Sequence, residues 1–294
     1  MYQDSLRNVS ESVLIYGPII IDAIITGIFE VLYLLRINKV AEYFKYLRST
    51  VFFQIMPAAI AAGPFGLVPF AIASRFSVQA AASLSSFYPV FVAVFSLLIF
   101  KERIPPLKWI GITLGVMGIT IISGFSGIQA AGVAWGLLSA AGYAMELIIG
   151  YRLMKKNVAP EVTLVLKQTA VILLYTAILV MLILYPENLK GVLSLVKLID
   201  FNPAYGFTNP VRGNRAAIAL VFILASLFNA TTYTFYFKAI CRVGVSTASA
   251  LNITYGLWTM VILALPPFLT PTSMVSFLGA ALTLTGAAIV IKVE

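Results

Sequence analysis

Four ionisable side chains lie inside runs that are otherwise apolar: Asp22 in the stretch IIIDAII, Glu30 further along the same run, Glu146 and Lys167. A charge at the centre of a bilayer costs several kcal/mol unless it meets a partner or water, so such residues mark ion or solute pathways by default. Asp22 falls near the middle of its run with no basic residue close in sequence. That placement suits two jobs: binding a substrate ammonium, or carrying a proton as the carboxylate alternates between its neutral and ionised forms. Low-dielectric surroundings disfavour the charged form, which a proton-carrying site requires. Glu30 comes two turns later on a face rotated by roughly 80°, shallow enough to be wetted at the interface. Glu146 and Lys167 sit at similar depth on successive runs, which fits either a structural salt bridge or a coupling and gating role.

Other chemistries are poorly served. The chain has no histidine and one cysteine, Cys241. The usual general base, the usual metal ligand and any disulfide framework are therefore missing. No Walker loop or dinucleotide fingerprint occurs. The expectation is no catalytic residue, no metal and no cofactor.

The elements that must position these charges are membrane helices. Of 294 residues, 61% are hydrophobic and 11% charged, against about 25% charged in soluble domains. Nine spans are expected, at Val13–Leu35, Val51–Ser74, Val78–Phe100, Leu107–Gly124, Ala131–Tyr151, Val162–Tyr185, Ala216–Phe237, Val245–Leu269 and Thr272–Ile291. The fold class is thus all-α and polytopic. Thirteen Lys and Arg residues fall in the loops of one side and six in those of the other. By the positive-inside rule the carboxyl terminus is cytoplasmic and the amino terminus, as the sequence stands, external. The net charge of +9 is read as this loop bias in a plasma or inner membrane protein and not as a nucleic-acid surface.

Val78–Gly124 reads as a transmembrane hairpin around the polar clip Lys101, Glu102, Arg103 and Lys108. It recurs at low identity: Phe70, Arg75, Val78, Leu84 and Tyr88 align with Phe237, Arg242, Val245, Leu251 and Tyr255 at a constant offset. After one inserted residue, Gly111 and Gly118 meet Gly279 and Gly286. The expected division is an N-terminal repeat, 1–126, and a C-terminal repeat, 127–294. An odd number of spans between matched units makes the repeats inverted, the arrangement common in secondary transporters.

An apolar helix with a central Tyr-Pro-Val-Phe, then Lys-Glu-Arg-Ile, then Gly-x-x-x-Gly-x-x-Gly, resembles the drug/metabolite transporter superfamily and within it the EamA-type permeases and exporters. The resemblance covers Pro57–Gly124 clearly and Val133–Val293 more loosely. It implies ten helices in two inverted five-helix halves, so the first family helix is either lacking by nature or lies before a start placed too late, and the late start is the favoured reading. It also implies export of an amino acid or related metabolite.

Several uncharged residues join the candidate site. Tyr88 and Tyr255, with Ser85, Asn229 and Asn252, are candidates for solute contacts at mid-membrane depth, although hydroxyls and amides there also serve as helix–helix glue. Pro57, Gly63, Pro64 and Gly66 break the second helix, and such breaks persist only where protein or water re-satisfies the backbone. A cavity-lining role is expected for them. Gly111, Gly115, Gly118, Gly279 and Gly286 permit close helix approach, either within one chain or across a homodimer. The function expected is secondary active transport of a small organic solute by alternating access, with proton coupling. The alternatives are a flippase for a lipid or lipid-linked carrier, or a membrane-embedded enzyme on lipid-linked substrates.

Overall fold

Long apolar stretches punctuated by Asn, Gly and Pro dictate helices joined by tight reversals. A computed structural model of the chain describes residues 20–76, 81, 84–101, 103–123, 130–184, 215–252, 254 and 274–292. Every regular element among them is helical: α1 (20–36), α2 (Val40–Leu47), α3 (Thr50–Ala62), α4 (Val68–Phe76), α5 (Tyr88–Phe95), α6 (Pro106–Ser123), α7 (Ala130–Met154), α8 (Pro160–Leu184), α9 (Arg215–Val243), α10 (Val245–Asn252) and α11 (Met274–Lys292), with π-helical turns at Gly63–Leu67 and Ser96–Phe100. Three of the reversals turn on left-handed residues, Asn38 after α1, Asn157 between α7 and α8, and Gly244 at φ +79° between α9 and α10. Asn and Gly are the residues that adopt this conformation at least cost.

Three helices among the described residues are long and apolar enough to cross a membrane: Thr50–Ser74, Gly132–Met154 and Pro160–Met181. Tyr88–Phe100, Pro106–Ile121 and Phe277–Val290 are shorter apolar helices. Much of the expected span Val245–Leu269 and the start of Val13–Leu35 lie outside the described residues. The solvent these helices face is legible in α1. It buries Thr26 and Glu30 while Ile21, Ile24, Ile28, Leu32 and Leu35 are 41–54% exposed. Polar inside and apolar outside is the pattern of a helix surrounded by lipid.

The chain forms two compact units, Met1–Ile60 with Asn157–Phe237, and Ala61–Lys156 with Lys238–Glu294. Neither unit coincides with a half of the sequence, because each draws helices from both. A repeat in sequence and a compact body in space are here different divisions of the same chain.

In the first unit α1 lies against α8 and α9. The amide of Gln168 donates to the carbonyl of Ala23 at 2.8 Å. A Cβ on Gly27 would come within 3.0 Å of Ile172 Cδ1. Thr26 Oγ1 donates to the carbonyl of Ser226. At the other end of α1, Lys39 pairs with Glu161 in the first turn of α8 at 3.0 Å, where an acidic residue also suits the helix dipole. Tyr43 of α2 shares a hydrogen bond with Thr169 of α8 at 3.0 Å.

The second unit is held by backbone proximity. The glycines of α6 and α11 face one another. A Cβ on Gly111 would stand 2.8 Å from the carbonyl oxygen of Gly286, and one on Gly118 would collide with Gly279 and Thr283. Intramolecular packing is therefore what Gly111, Gly118 and Gly286 do in this fold. Ala93, Ile112, Ala250 and Val290 form a buried cluster beside this seam, covered by Val90, Ile104 and Trp109.

Candidate functional site

Asp22 is half-buried near the described start of α1, and its Oδ1 accepts a 2.6 Å hydrogen bond from Ser226 Oγ on α9. Ser226 is fully buried while Asp22 is half-buried, so the bond is sheltered on the α9 side and open on the other. A hydrogen bond that short to a carboxylate is of the charge-assisted kind. The same serine's carbonyl receives Thr26 Oγ1, so one residue of α9 registers two turns of α1. Asp22 is thereby held in a fixed direction while retaining an oxygen for a cation or a proton.

One turn beyond Thr26, Glu30 is 2% exposed. The expectation of a wetted interfacial residue is overturned, because α1 turns this face into the unit and its apolar face outward. Lys167 on α8 is 6% exposed, with its Nζ 4.5 Å from the ring centre of Tyr233 and 5.8 Å from that of Phe237. An ammonium over an aromatic face gains about 2 kcal/mol or more when desolvated, which partly offsets the cost of burying it. Glu146 is equally buried, 2% exposed, on α7 of the second unit. The residues paired with each other in the sequence reading, Glu146 and Lys167, thus belong to different units.

The remaining candidates divide. Tyr88 is buried and donates its hydroxyl to the carbonyl of Ser249 at 3.2 Å, fastening α5 to α10. Ser85 is buried in the second unit, Asn229 is half-buried on α9, and Asn252 half-buried at the end of α10. Tyr255 lies outside the described residues. Pro57 is exposed within α3, while Gly63 and Gly66 are buried and Pro64 half-buried in the π-helical turn. That turn is met by protein: a Cβ on Gly66 would stand 2.8 Å from the ring of Tyr143, and Gly142 abuts the backbone of Phe65. No group of three or more His, Cys, Asp or Glu residues that could hold a metal occurs among the described residues.

Ser226, Thr26 and Gln168 were not singled out by sequence. A signal existed for two of them. Asp22, Thr26 and Glu30 recur every four residues and form a polar stripe on an apolar helix, and Gln168 adjoins Lys167. Ser226 is a lone serine in an apolar run and only the fold reveals its partner.

Helices with apolar exteriors and buried carboxylates among the described residues mark a multi-pass membrane protein. Residues 23–124 match the model of the EamA-like transporter family, which is part of the drug/metabolite transporter superfamily. Members of the family are transporters. Protein LicB of Haemophilus influenzae is 26% identical over 215 residues, covering 71% of this chain and 65% of that relative, so the match spans less than two thirds of LicB. A solved structure, titled only as the crystal structure of a protein, aligns with a TM-score of 0.68 over 99% of this chain and 92% of its own length at 17% identity. At that identity it establishes the shared fold alone.

Proposed function

We propose that the chain is a secondary active transporter that moves a small organic solute across the cell membrane by alternating access. The observation that carries the reading is Asp22, a half-buried carboxylate in an apolar run of α1, oriented by Ser226 at 2.6 Å, in a chain whose residues 23–124 match a transporter family. A carboxylate fixed by one oxygen binds a cationic group or a coupled proton with the other. Family resemblance favours an amino acid or related metabolite as the solute, export as the direction and inverted repeats as the scaffold. Lys167 and Glu146, buried on different helices, are the proposed gating charges. Asn229, half-buried one turn from Ser226 on α9, is a proposed solute contact.

The test is counterflow in proteoliposomes. Purified protein is preloaded with unlabelled amino acids, amines or sugars in turn, and uptake of the labelled counterpart is followed with Asp22→Asn alongside. Saturable uptake of one class, lost in the variant, is the expected result. Uptake and pH dependence unchanged in Asp22→Asn would remove Asp22 from the pathway. Flat traces from folded protein across the panel would favour lipid-linked cargo.

A further inference from the structure

The cations of the second unit gather at one end, and printed side-chain geometry fixes where one of them stands. Three reversals meet there. The ring of Phe100, which closes the π-helical turn after α5, packs edge-on against Tyr151 of α7 with centroids 5.3 Å apart. A Cβ on Gly244, between α9 and α10, would stand 4.0 Å from the Tyr151 hydroxyl. Lys108 in the first turn of α6 donates to Thr247 Oγ1 on α10 at 2.5 Å. Lys155 Nζ lies 4.6 Å from the centre of the Phe100 ring and 4.7 Å from that of Tyr151. An ammonium held over two ring faces is localised before any anion arrives, which lowers the ordering cost of binding one.

The segments 97–108, 151–156 and 238–242 that meet at this end carry eight Lys and Arg residues and one acid, Glu102. Lys101, Lys155 and Arg242 are all exposed. Lys101 follows directly on Leu97, Leu98 and Ile99, which are 46–68% exposed, and Leu107 is 49% exposed beside Lys108. Positive charge thus stands at the edge of open apolar surface. A soluble phosphate would use only the charge, whereas a phospholipid joins an anionic headgroup to acyl chains and matches both. We infer that this end of the second unit is a docking surface for an anionic phospholipid. Lys101, Lys155 and Arg242 supply the charge that meets its headgroup, and Leu97, Leu98 and Ile99 the apolar surface for its chains. The positive-inside rule turns this end towards the cytoplasmic leaflet. That leaflet carries the anionic lipid, and basic clusters between helix ends on that side bind such headgroups. The surface does not involve Asp22, so it stands or falls independently of the solute site.

Competition between lipids tests this. Cys241 is the chain's one cysteine and is exposed, one position before Arg242, so a fluorophore attached there reports from beside the surface. The labelled protein is reconstituted in phosphatidylcholine vesicles holding a small fraction of nitroxide-bearing phosphatidylglycerol or, in a parallel sample, nitroxide-bearing phosphatidylcholine. The ratio of the two quenching curves gives the relative association constant. Wild type should favour the anionic lipid by about tenfold or more, since each cation near a membrane surface is worth about fivefold. Lys101→Gln with Lys155→Gln and Arg242→Gln should bring the ratio close to unity. Arg36→Gln with Lys45→Gln and Arg48→Gln, three exposed cations of the first unit, should leave the preference in place.

Equal quenching of wild type by the two lipids would overturn the proposal. So would equal losses in the two triple variants, which would show a diffuse field and not a surface on the second unit. Glycerol phosphate added to the water phase in large excess should leave the lipid preference standing. Its disappearance there would identify the occupant as a soluble phosphate and overturn the lipid. If the first triple variant does not fold, as judged by its melting, Lys101→Gln with Arg242→Gln replaces it, because both leave the Lys155 ring contacts in place. A clear fall in the ratio in that pair supports the surface, and an unchanged ratio overturns it.

Discussion

Replacing Ser226 with alanine deletes one oxygen, and the consequence for transport can be worked from the geometry. Ser226 Oγ donates to Asp22 Oδ1 at 2.6 Å from a fully buried position. Hydrogen bonds to charged groups contribute about 1.5–3 kcal/mol, which corresponds to roughly 10- to 150-fold in an equilibrium constant. The backbone of α9 is untouched, and the Thr26 contact to the Ser226 carbonyl survives the change. Loss should therefore fall on the direction of the carboxylate and not on the packing of α1. In counterflow, Ser226→Ala is expected to raise the half-saturating solute concentration by about tenfold or more with the melting midpoint little changed. Ser226→Thr, which keeps the hydroxyl, should stay near wild type. An alanine variant within about twofold of wild type, beside an inactive Asp22→Asn, would refute the reasoning: Asp22 would then act without being held by Ser226.

Three further outcomes follow from the packing. In Gly286→Ala the new methyl meets the backbone of Gly111 and Gly115, and overpacking of this kind costs about 1–3 kcal/mol; melting should fall clearly, and by more than in Gly27→Ala, whose methyl meets the flexible side chains of Ile172 and Gln168. Glu161→Gln removes the partner of Lys39, a lysine 34% exposed, so a melting change worth no more than about 1 kcal/mol is expected, and a larger drop would show the pair to be buried in the membrane-embedded protein. Tyr88→Phe loses the bond to the Ser249 carbonyl, worth about 1 kcal/mol, and should lower melting while leaving the half-saturating concentration unchanged; the reverse pattern would return the hydroxyl to solute binding.

Composition and periodicity carry helix class a long way, because a 25-residue helix such as Pro160–Leu184 has no soluble home for its apolar surface. Asp22 was legible for the same reason: a carboxylate in an isoleucine run announces itself. The contacts that hold α1 were not. Which helices share a unit depends on side-chain fit between segments far apart in sequence, as in the Gln168 to Ala23 bond across 145 residues, and no local pattern encodes that. Glu30 shows a second limit. Its distance from the end of the run predicted wetting, whereas burial is decided by which face of α1 meets protein.

The α6–α11 seam and the contacts of α1 solve the same physical problem by different means. Lipid is as apolar as leucine, so hydrophobic burial does little to drive one membrane helix onto another, and contact must come from close packing or hydrogen bonds. The second unit uses packing: α6 and α11 meet through Gly111, Gly118, Gly279 and Gly286, with backbone where side chains would otherwise stand. Such a seam leaves little room for a solute between its two helices. In the first unit polar contacts link α1 to its neighbours through Asp22, Thr26, Gln168 and Ser226. Each of these bonds can be exchanged for one to a solute or an ion at modest cost, because net hydrogen-bond energies are about 1 kcal/mol and the alternative partner supplies the same kind of bond. A transport cycle needs contacts that exchange in this way. Substitutions that abolish transport without loss of folding should therefore concentrate on α1, α8 and α9, and substitutions along the glycine seam should act through stability.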